Sequence, residues 1–253
     1  MWATRRILVV LWSVVALASV LPAGTANAAE SACSKVLGRD SVAGPRDAVA
    51  WRAGINRSTA VFDRVPGKRL HPSRWLARAD APWVLVMSEP RAADGRCWLR
   101  VRLPWRPDDA AGWINAGNVA LEKTRWRIEV STSQRTLTLF RAGLPVHTVQ
   151  VVVGKPSTPT PLGLFAITWA IPWYPNDFLG SWVLELTAHS NVLETFDGGD
   201  GTVGLHGRGG SSLLDPLGSA ASHGCVRLAN DAIDWLVGTI GLGQVSGTPV
   251  QIT

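Results

Sequence analysis

The chain has 253 residues, 25 Lys+Arg against 19 Asp+Glu, a formal net charge of +6 and three cysteines. That length suits one large or two small domains. No block of consecutive Lys and Arg occurs, so the basic stripe that a nucleic-acid partner requires is missing and nucleic acid is set aside.

In chain order, residues 1–28 read as an export signal. Arg5 and Arg6 give a positive start, residues 7–21 are apolar apart from Ser13 and Ser19, and Ala26-Asn27-Ala28 has the A-x-A cleavage pattern. The mature chain then starts at Ala29. A retained membrane anchor is the competing reading, but the apolar run is short of the roughly 20 residues that a bilayer crossing needs. We therefore expect cleavage, no stable membrane span, and a location in the cell wall or periplasmic space. Glu30-Ser31-Ala32 lacks the apolar residue that would favour a lipid-modified start at Cys33. The surplus of positive charge lies in residues 29–122, and residues 123–253 are close to balance. In an exported protein such a half would meet anionic wall polymers, although scattered arginines that only keep it soluble fit equally.

Composition breaks near residue 122. Residues 29–122 are rich in Arg, Pro and Trp. Their clearest segment is Cys97-Trp98-Leu99-Arg100-Val101-Arg102-Leu103, whose period of two reads as a strand, with Gly112-Trp113-Ile114 as its hairpin partner. This stretch resembles a bacterial SH3-like barrel, which implies a small β-barrel domain over 29–122. Residues 39–78 show no firm pattern. Cys33 and Cys97 could pair in an oxidising compartment, which would leave Cys225 as the free thiol, but spacing alone does not establish the bridge. No C-x-x-C and no H-x-x-x-H spacing supports a structural zinc, and no metal is expected.

Residues 123–253 read as strand-rich. Alternation predicts strands over 126–130 and 136–140, then 145–153 and 164–169, with a turn at Ala142-Gly143 and a rigid loop at Thr158-Pro159-Thr160-Pro161-Leu162-Gly163. One helix is predicted, capped by Asn230, with Ala232, Ile233, Leu236, Val237 and Ile240 at helical spacing and Gly241 at its end. A last strand covers 248–252. These elements imply a mainly β class, a β-sandwich with one packed helix. The aromatic stretch Trp169, Trp173, Tyr174, Phe178 and Trp182 reads either as a mobile lid or as ordinary packing. Gly198-Gly199-Asp200-Gly201 reads as a hairpin turn, because no helix or lysine makes it a phosphate loop. His71, His147 and His189 have no evident partner and read as structural or exposed.

The chemistry concentrates in Ser222-His223-Gly224-Cys225-Val226-Arg227-Leu228 and in His206-Gly207. A thiol becomes a nucleophile when an imidazole takes its proton. His223 lies only two residues from Cys225, a poor distance for a direct hydrogen bond. His206 sits on a separate strand-like segment that can present its ring to the thiol, so we take His206 as the base. A backbone carbonyl near Gly207 would fix its tautomer. Gly224 permits unusual torsions, and N–H groups at His223, Gly224 and Cys225 could receive an oxyanion. Ser222 could hold the turn.

These motifs, with Thr160-Pro161-Leu162-Gly163-Leu164-Phe165 upstream, resemble the signature of the L,D-transpeptidase catalytic domain (the YkuD family). The resemblance covers roughly 125–253. It implies a β-sandwich, Cys225 as nucleophile, His206 as base, and an oxyanion and substrate site from His223, Gly224, Gly207, Ser222 and Arg227. Some members carry Asn where this chain has Arg227, which would meet a substrate carboxylate or pair with Asp231. The implied reaction is acyl transfer at peptidoglycan stems: the tetrapeptide donor loses terminal D-alanine, and the thioester passes to an amine of a neighbouring stem to give a 3→3 cross-link. No cofactor is implied. An L,D-carboxypeptidase with the same thioester and a catalytically silent wall-binding protein are the alternatives. A papain-like or NlpC/P60-like peptidase would place its cysteine before its histidine, the reverse of the order here.

Overall fold

The computed structural model describes residues 32–38, 41–70, 75–196 and 198–253. The export signal expected over residues 1–28 and His71 lie outside them. Among the described residues no helix is long and apolar enough to cross a membrane.

The first half opens with a short helix α1 over 32–37. Eight strands follow: β1 (Ala50–Ile55), β2 (Thr59–Ala60), β3 (Trp75–Leu76), β4 (Trp83–Leu85), β5 (Arg91–Ala93), β6 (Arg96–Arg102), β7 (Ala111–Asn115) and β8 (Val119–Thr124). They form the sheets β4-β1-β8 and β5-β6-β7 and the pair β2-β3. Single bridges Val86↔Val101 and Phe62↔Trp113 join these sheets, so the strands run round one core that includes Ile55, Leu76, Leu99 and Ile114. The predicted hairpin is β6-β7, in register Leu99↔Ile114. β1 escaped the sequence reading because all six of its residues are buried. Both of its faces are covered, so no alternation marks it. A Cys33–Cys97 disulfide ties α1 to β6, and Cys225 is the free thiol.

The second half contains β9 (Trp126–Ser131), β10 (Thr136–Arg141), β11 (Leu144–Gln150), β12 (Val153–Gly154), β13 (Gly163–Pro172), β14 (Trp182–His189), β15 (Thr202–His206), β16 (Ala220–Ser222), β17 (Val226–Arg227) and β18 (Pro249–Ile252). Eight of them make one mixed sheet, β11-β10-β9-β18-β13-β14-β15-β17, and β12 pairs with β16. β13 turns the sheet over: residues 163–166 pair with β18 and residues 167–172 with β14, with a register shift between Ile167 and Trp169. The two folded halves enclose a core to which Ile128, Leu139 and Val250 contribute from one side and Leu184, Leu205 and Val226 from the other. The class is mainly β, as expected.

Local sequence explains these elements. Ile128 and Val130 of β9 point inward, while Arg127 and Glu129 form an ion pair on the outer face. Ala142 and Gly143 both have positive φ, 53° and 82°, which gives a tight β10-β11 turn. The predicted strand 145–153 stops at Gln150, because Val152 leaves the β10 edge and exchanges hydrogen bonds with the Arg227 backbone. The predicted helix is α2 (Asn230–Ile240), followed by the short α3 (Leu242–Val245). Ile233, Leu236, Val237 and Ile240 bury one face of α2. Gly241 ends it at φ 82° with its N–H donating to Val237.

Arg52 of β1 fastens the two halves. It is 1% exposed, donates from Nη1 to the Ser246 carbonyl at 3.0 Å, pairs with Glu122, and lies 4.1 Å from the Trp83 ring centre. Arg52→Met keeps the volume but deletes charge-assisted bonds worth about 1.5–3 kcal/mol each. We expect a destabilisation of about 2 kcal/mol, read as a lower urea midpoint. An unchanged midpoint would show that the two halves do not depend on this contact.

Candidate active site

The site lies where β15 and β17 run side by side. They pair in parallel, with Leu205 opposite Val226 and His206 opposite Arg227. Leu205, Val226 and Leu228 are fully buried and hold this register. Cys225 directly precedes β17, so the register continued one residue back sets it beside Gly204 of β15. The thiol is therefore set against β15 two residues ahead of His206, and the imidazole arrives from the neighbouring strand.

His206 is 2% exposed. Its Nδ1 lies 2.7 Å from the Gly207 carbonyl oxygen. A carbonyl only accepts, so Nδ1 carries the proton, and the lone pair of the neutral ring is on Nε2. Burial pushes this imidazole down from 6.5 to about 4, against the upward pull of the Gly207 hydrogen bond. Burial also pushes the Cys225 thiol up, while the Gly204 N–H and the Arg227 charge act downward. Cys225 as a residue keeps intermediate exposure, while its thiol is desolvated. Both groups are neutral at rest near pH 7.

Ser222 holds the turn. Its hydroxyl donates to the Cys225 carbonyl at 2.6 Å and accepts from the Gly224 N–H at 3.1 Å. That second bond corrects the expectation of three free donors, because the Gly224 N–H is already committed. What Gly224 supplies is its backbone, at φ 125°, where a side chain would be strained. Gly207 is required for close packing: a Cβ there would stand 2.2 Å from Asn230 Oδ1. His223 is exposed. The Lys155 ammonium donates to its Nε2 at 3.2 Å, and its ring stacks on Phe196 with centres 5.6 Å apart.

Arg227 does not pair with Asp231. It is 3% exposed, pairs with Asp215 and lies 4.8 Å from the Phe178 ring centre. Asp231, in the first turn of α2, instead accepts from the Ala232 N–H at 2.8 Å. The fixed guanidinium lowers both His206 and Cys225 by its charge. It acts as a buried cation behind the pair.

Sequence reading missed Asn230 and Asp215. Asn230 does not cap α2; it is the first helical residue, and Ala229 holds the cap position. Its side chain accepts from the Ser181 and Arg208 N–H groups at 3.2 and 2.9 Å and donates to the Pro175 carbonyl at 3.0 Å. Ser212 donates to the Phe178 carbonyl at 2.9 Å. The aromatic loop 173–181 is therefore pinned at its base, with Tyr174 exposed at its surface, and Phe178 lies 6.2 Å from His206, ring to ring. It forms a rim, and no free lid is built there. An asparagine at a helix start looks like a cap, so local sequence carries no signal for this role. His189 is structural: it is buried, and it has a partner that the sequence did not reveal, with Nδ1 3.3 Å from Asp108. His147 is exposed on β11 against Trp235.

The model of the L,D-transpeptidase catalytic domain family (YkuD) matches residues 125–252. A Bacillus licheniformis protein bearing the L,D-transpeptidase name YkuD is 30% identical over 172 residues, which cover 65% of this chain and 92% of that protein. Among solved structures, L,D-transpeptidase 3 of Mycobacterium tuberculosis is 16% identical, with 69% of this chain and 92% of that chain covered and a TM-score of 0.41. An Enterococcus faecium L,D-transpeptidase is 20% identical at a TM-score of 0.35, with 51% of this chain and 49% of that chain covered, so this chain spans about half of its length. His206-Gly207 and the 222–227 motif both fall inside the residues that the family model matches, and with nine-tenths of the Bacillus relative covered as well, the chain belongs to the L,D-transpeptidase (YkuD) catalytic-domain family.

Proposed function

We propose that the protein is an exported cysteine acyltransferase that forms 3→3 cross-links between peptidoglycan stems, with Cys225 as nucleophile and His206 as general base. The observation that carries the reading is the parallel seating of β17 on β15, which brings the thiol to the strand that bears His206. Membership of the family supports the acyl-transfer class and the stem-peptide substrate.

As the sulfur attacks the carbonyl of the third stem residue, His206 Nε2 takes the thiol proton. A neutral base suits a neutral thiol, because proton transfer and attack then proceed together. The developing oxyanion is received by the His223 and Cys225 N–H groups, since Gly224 has given its own to Ser222. The imidazolium returns its proton to the departing D-alanine amine, leaving a thioester. An amine of a neighbouring stem attacks next, gives a proton to His206 and frees the thiol. Arg227 stays behind the pair as a fixed charge that favours thiolate. We read residues 29–122 as an SH3-like wall-associated domain, a reading supported by the strand path around one core and by the positive charge.

Purified protein incubated with disaccharide-tetrapeptide tests this. We expect cross-linked dimer with one D-alanine released per link. Tripeptide without dimer identifies the L,D-carboxypeptidase. Neither product, together with no acylation by a carbapenem, overturns the enzyme reading in favour of a silent wall-binding protein.

A further inference from the structure

The loop 190–201 joins β14 to β15 and brings Phe196 onto His223, two residues from the thiol. At its tip Phe196 and Gly199 exchange backbone hydrogen bonds at 3.1 and 2.9 Å, and no neighbouring strand pairs with it among the described residues. Two side chains of the N-terminal half hold it. Arg106 donates to the carbonyls of Ser190 at 3.0 Å, Leu193 at 3.2 Å and Asp200 at 2.8 Å. Asp108 accepts from the His189 N–H at 2.7 Å and faces its Nδ1. His189 Nε2 in turn lies 3.5 Å from Asp200.

One guanidinium thus binds carbonyls from both ends of the loop and fixes its span. The planar fork with five donors makes this possible; a lysine ammonium on a flexible stem does not reproduce it. Gly201 leaves room for the contact, since a Cβ there would stand 2.9 Å from Arg106 Nη2 and 2.2 Å from the Leu193 carbonyl oxygen. The loop's other contact is with the site. Phe196 is 49% exposed, yet its ring stacks on His223, which also accepts from Lys155. Lys155 has no carboxylate partner among the described residues, and its backbone N–H is tied to the Ser222 carbonyl at 3.0 Å. An aromatic face, an imidazole and an ammonium that has no carboxylate partner among the described residues therefore meet two residues from the nucleophile, a chemistry that suits a peptide ending in a free carboxylate.

We propose that the N-terminal half completes this substrate wall: Arg106 and Asp108 are positioning residues that preorganise the Phe196–His223–Lys155 face for the carboxylate-bearing donor peptide. The identity of the donor rests on the stem-peptide reading above; the positioning itself does not. A loop that must be ordered on binding lowers affinity, whereas a loop already held does not. The effect therefore falls on donor binding and leaves the thiol's own reactivity in place.

The test uses the full-length protein with Arg106→Met, Asp108→Asn, Arg106→Lys and Phe196→Ala. Three quantities are read: KM and kcat for D-alanine release from disaccharide-tetrapeptide, the rate of Cys225 alkylation by iodoacetamide, and the His223 Cε1–H resonance. For Arg106→Met we expect KM to rise about tenfold, with kcat and alkylation changed less than about twofold. The His223 resonance should move to its position in Phe196→Ala, as the ring-current shift from the stacked phenyl is lost. Asp108→Asn should move both in the same direction by less, and Arg106→Lys should restore only part of KM. Unchanged KM and His223 resonance in Arg106→Met overturn the proposal, and so does a fall in alkylation that matches the change in KM, since that reports general disruption. If the wild-type protein releases no D-alanine, the stem-peptide reading fails, and the His223 resonance alone decides the positioning.

Discussion

Cys225→Ala is expected to remove D-alanine release altogether, a fall of about 10⁴-fold or more, because no other group in the site can form the thioester. Cys33 and Cys97 are joined to each other, so Cys225 is the single thiol that can be acylated. The substitution should leave the fold in place. The register of β17 is held by Val226 and Leu228, both at 0% exposure, and the turn before it by Ser222 and Gly224, neither of which needs the sulfur. Two measurements check this: chromatography of the D-alanine released, and intact mass after exposure to a carbapenem, which should add one adduct to the wild type and none to the variant. Turnover retained in a correctly folded Cys225→Ala protein would remove Cys225 from the mechanism.

His206→Gln should slow Cys225 acylation near neutral pH by about 10³-fold, within the range lost with a general base. It should also change how stability depends on pH. Burial holds the folded-state imidazole at about 4, below its ordinary 6.5. The unfolded chain therefore binds the proton more readily, and stability falls as pH drops through that window. The contribution is intact above about pH 6.5 and lost once pH has fallen through about 4, a difference of about 3 kcal/mol. Glutamine does not titrate, so the urea midpoint of the wild type should fall relative to that of the variant between pH 7 and pH 4. Parallel curves would show that His206 keeps an ordinary affinity for its proton and is not desolvated.

Much of the second half was legible because half-buried strands and an amphipathic helix print their periods in local sequence. β9, β10 and α2 follow this rule, with Ile128 and Val130 or Ile233, Leu236 and Val237 at the spacing that their faces demand. β1 does not, since both of its faces are covered and its six residues are all buried. Asn230 illustrates a different failure. Its type and place fit a helix cap, yet its amide braces the rim loop from Pro175 to Ser181 and the strand exit at Arg208. The choice depends on which backbone groups come within about 3 Å, and those lie 22 to 55 residues away.

What the order of residues determined by itself is the chemistry on offer: an odd number of thiols, one of them in the 222–227 motif, an imidazole on a separate segment, and the glycine and serine beside that thiol. These are covalent identities and short spacings, which survive unfolding. The tertiary structure alone decided the partners. It gave Arg227 to Asp215 instead of Asp231, committed the Gly224 N–H to Ser222, and brought Arg106 from the N-terminal half to hold the loop behind His223. Contacts such as that of Arg106 join segments 84 to 94 residues apart, and they exist only after the sheet has folded over at β13 and placed distant loops on one surface.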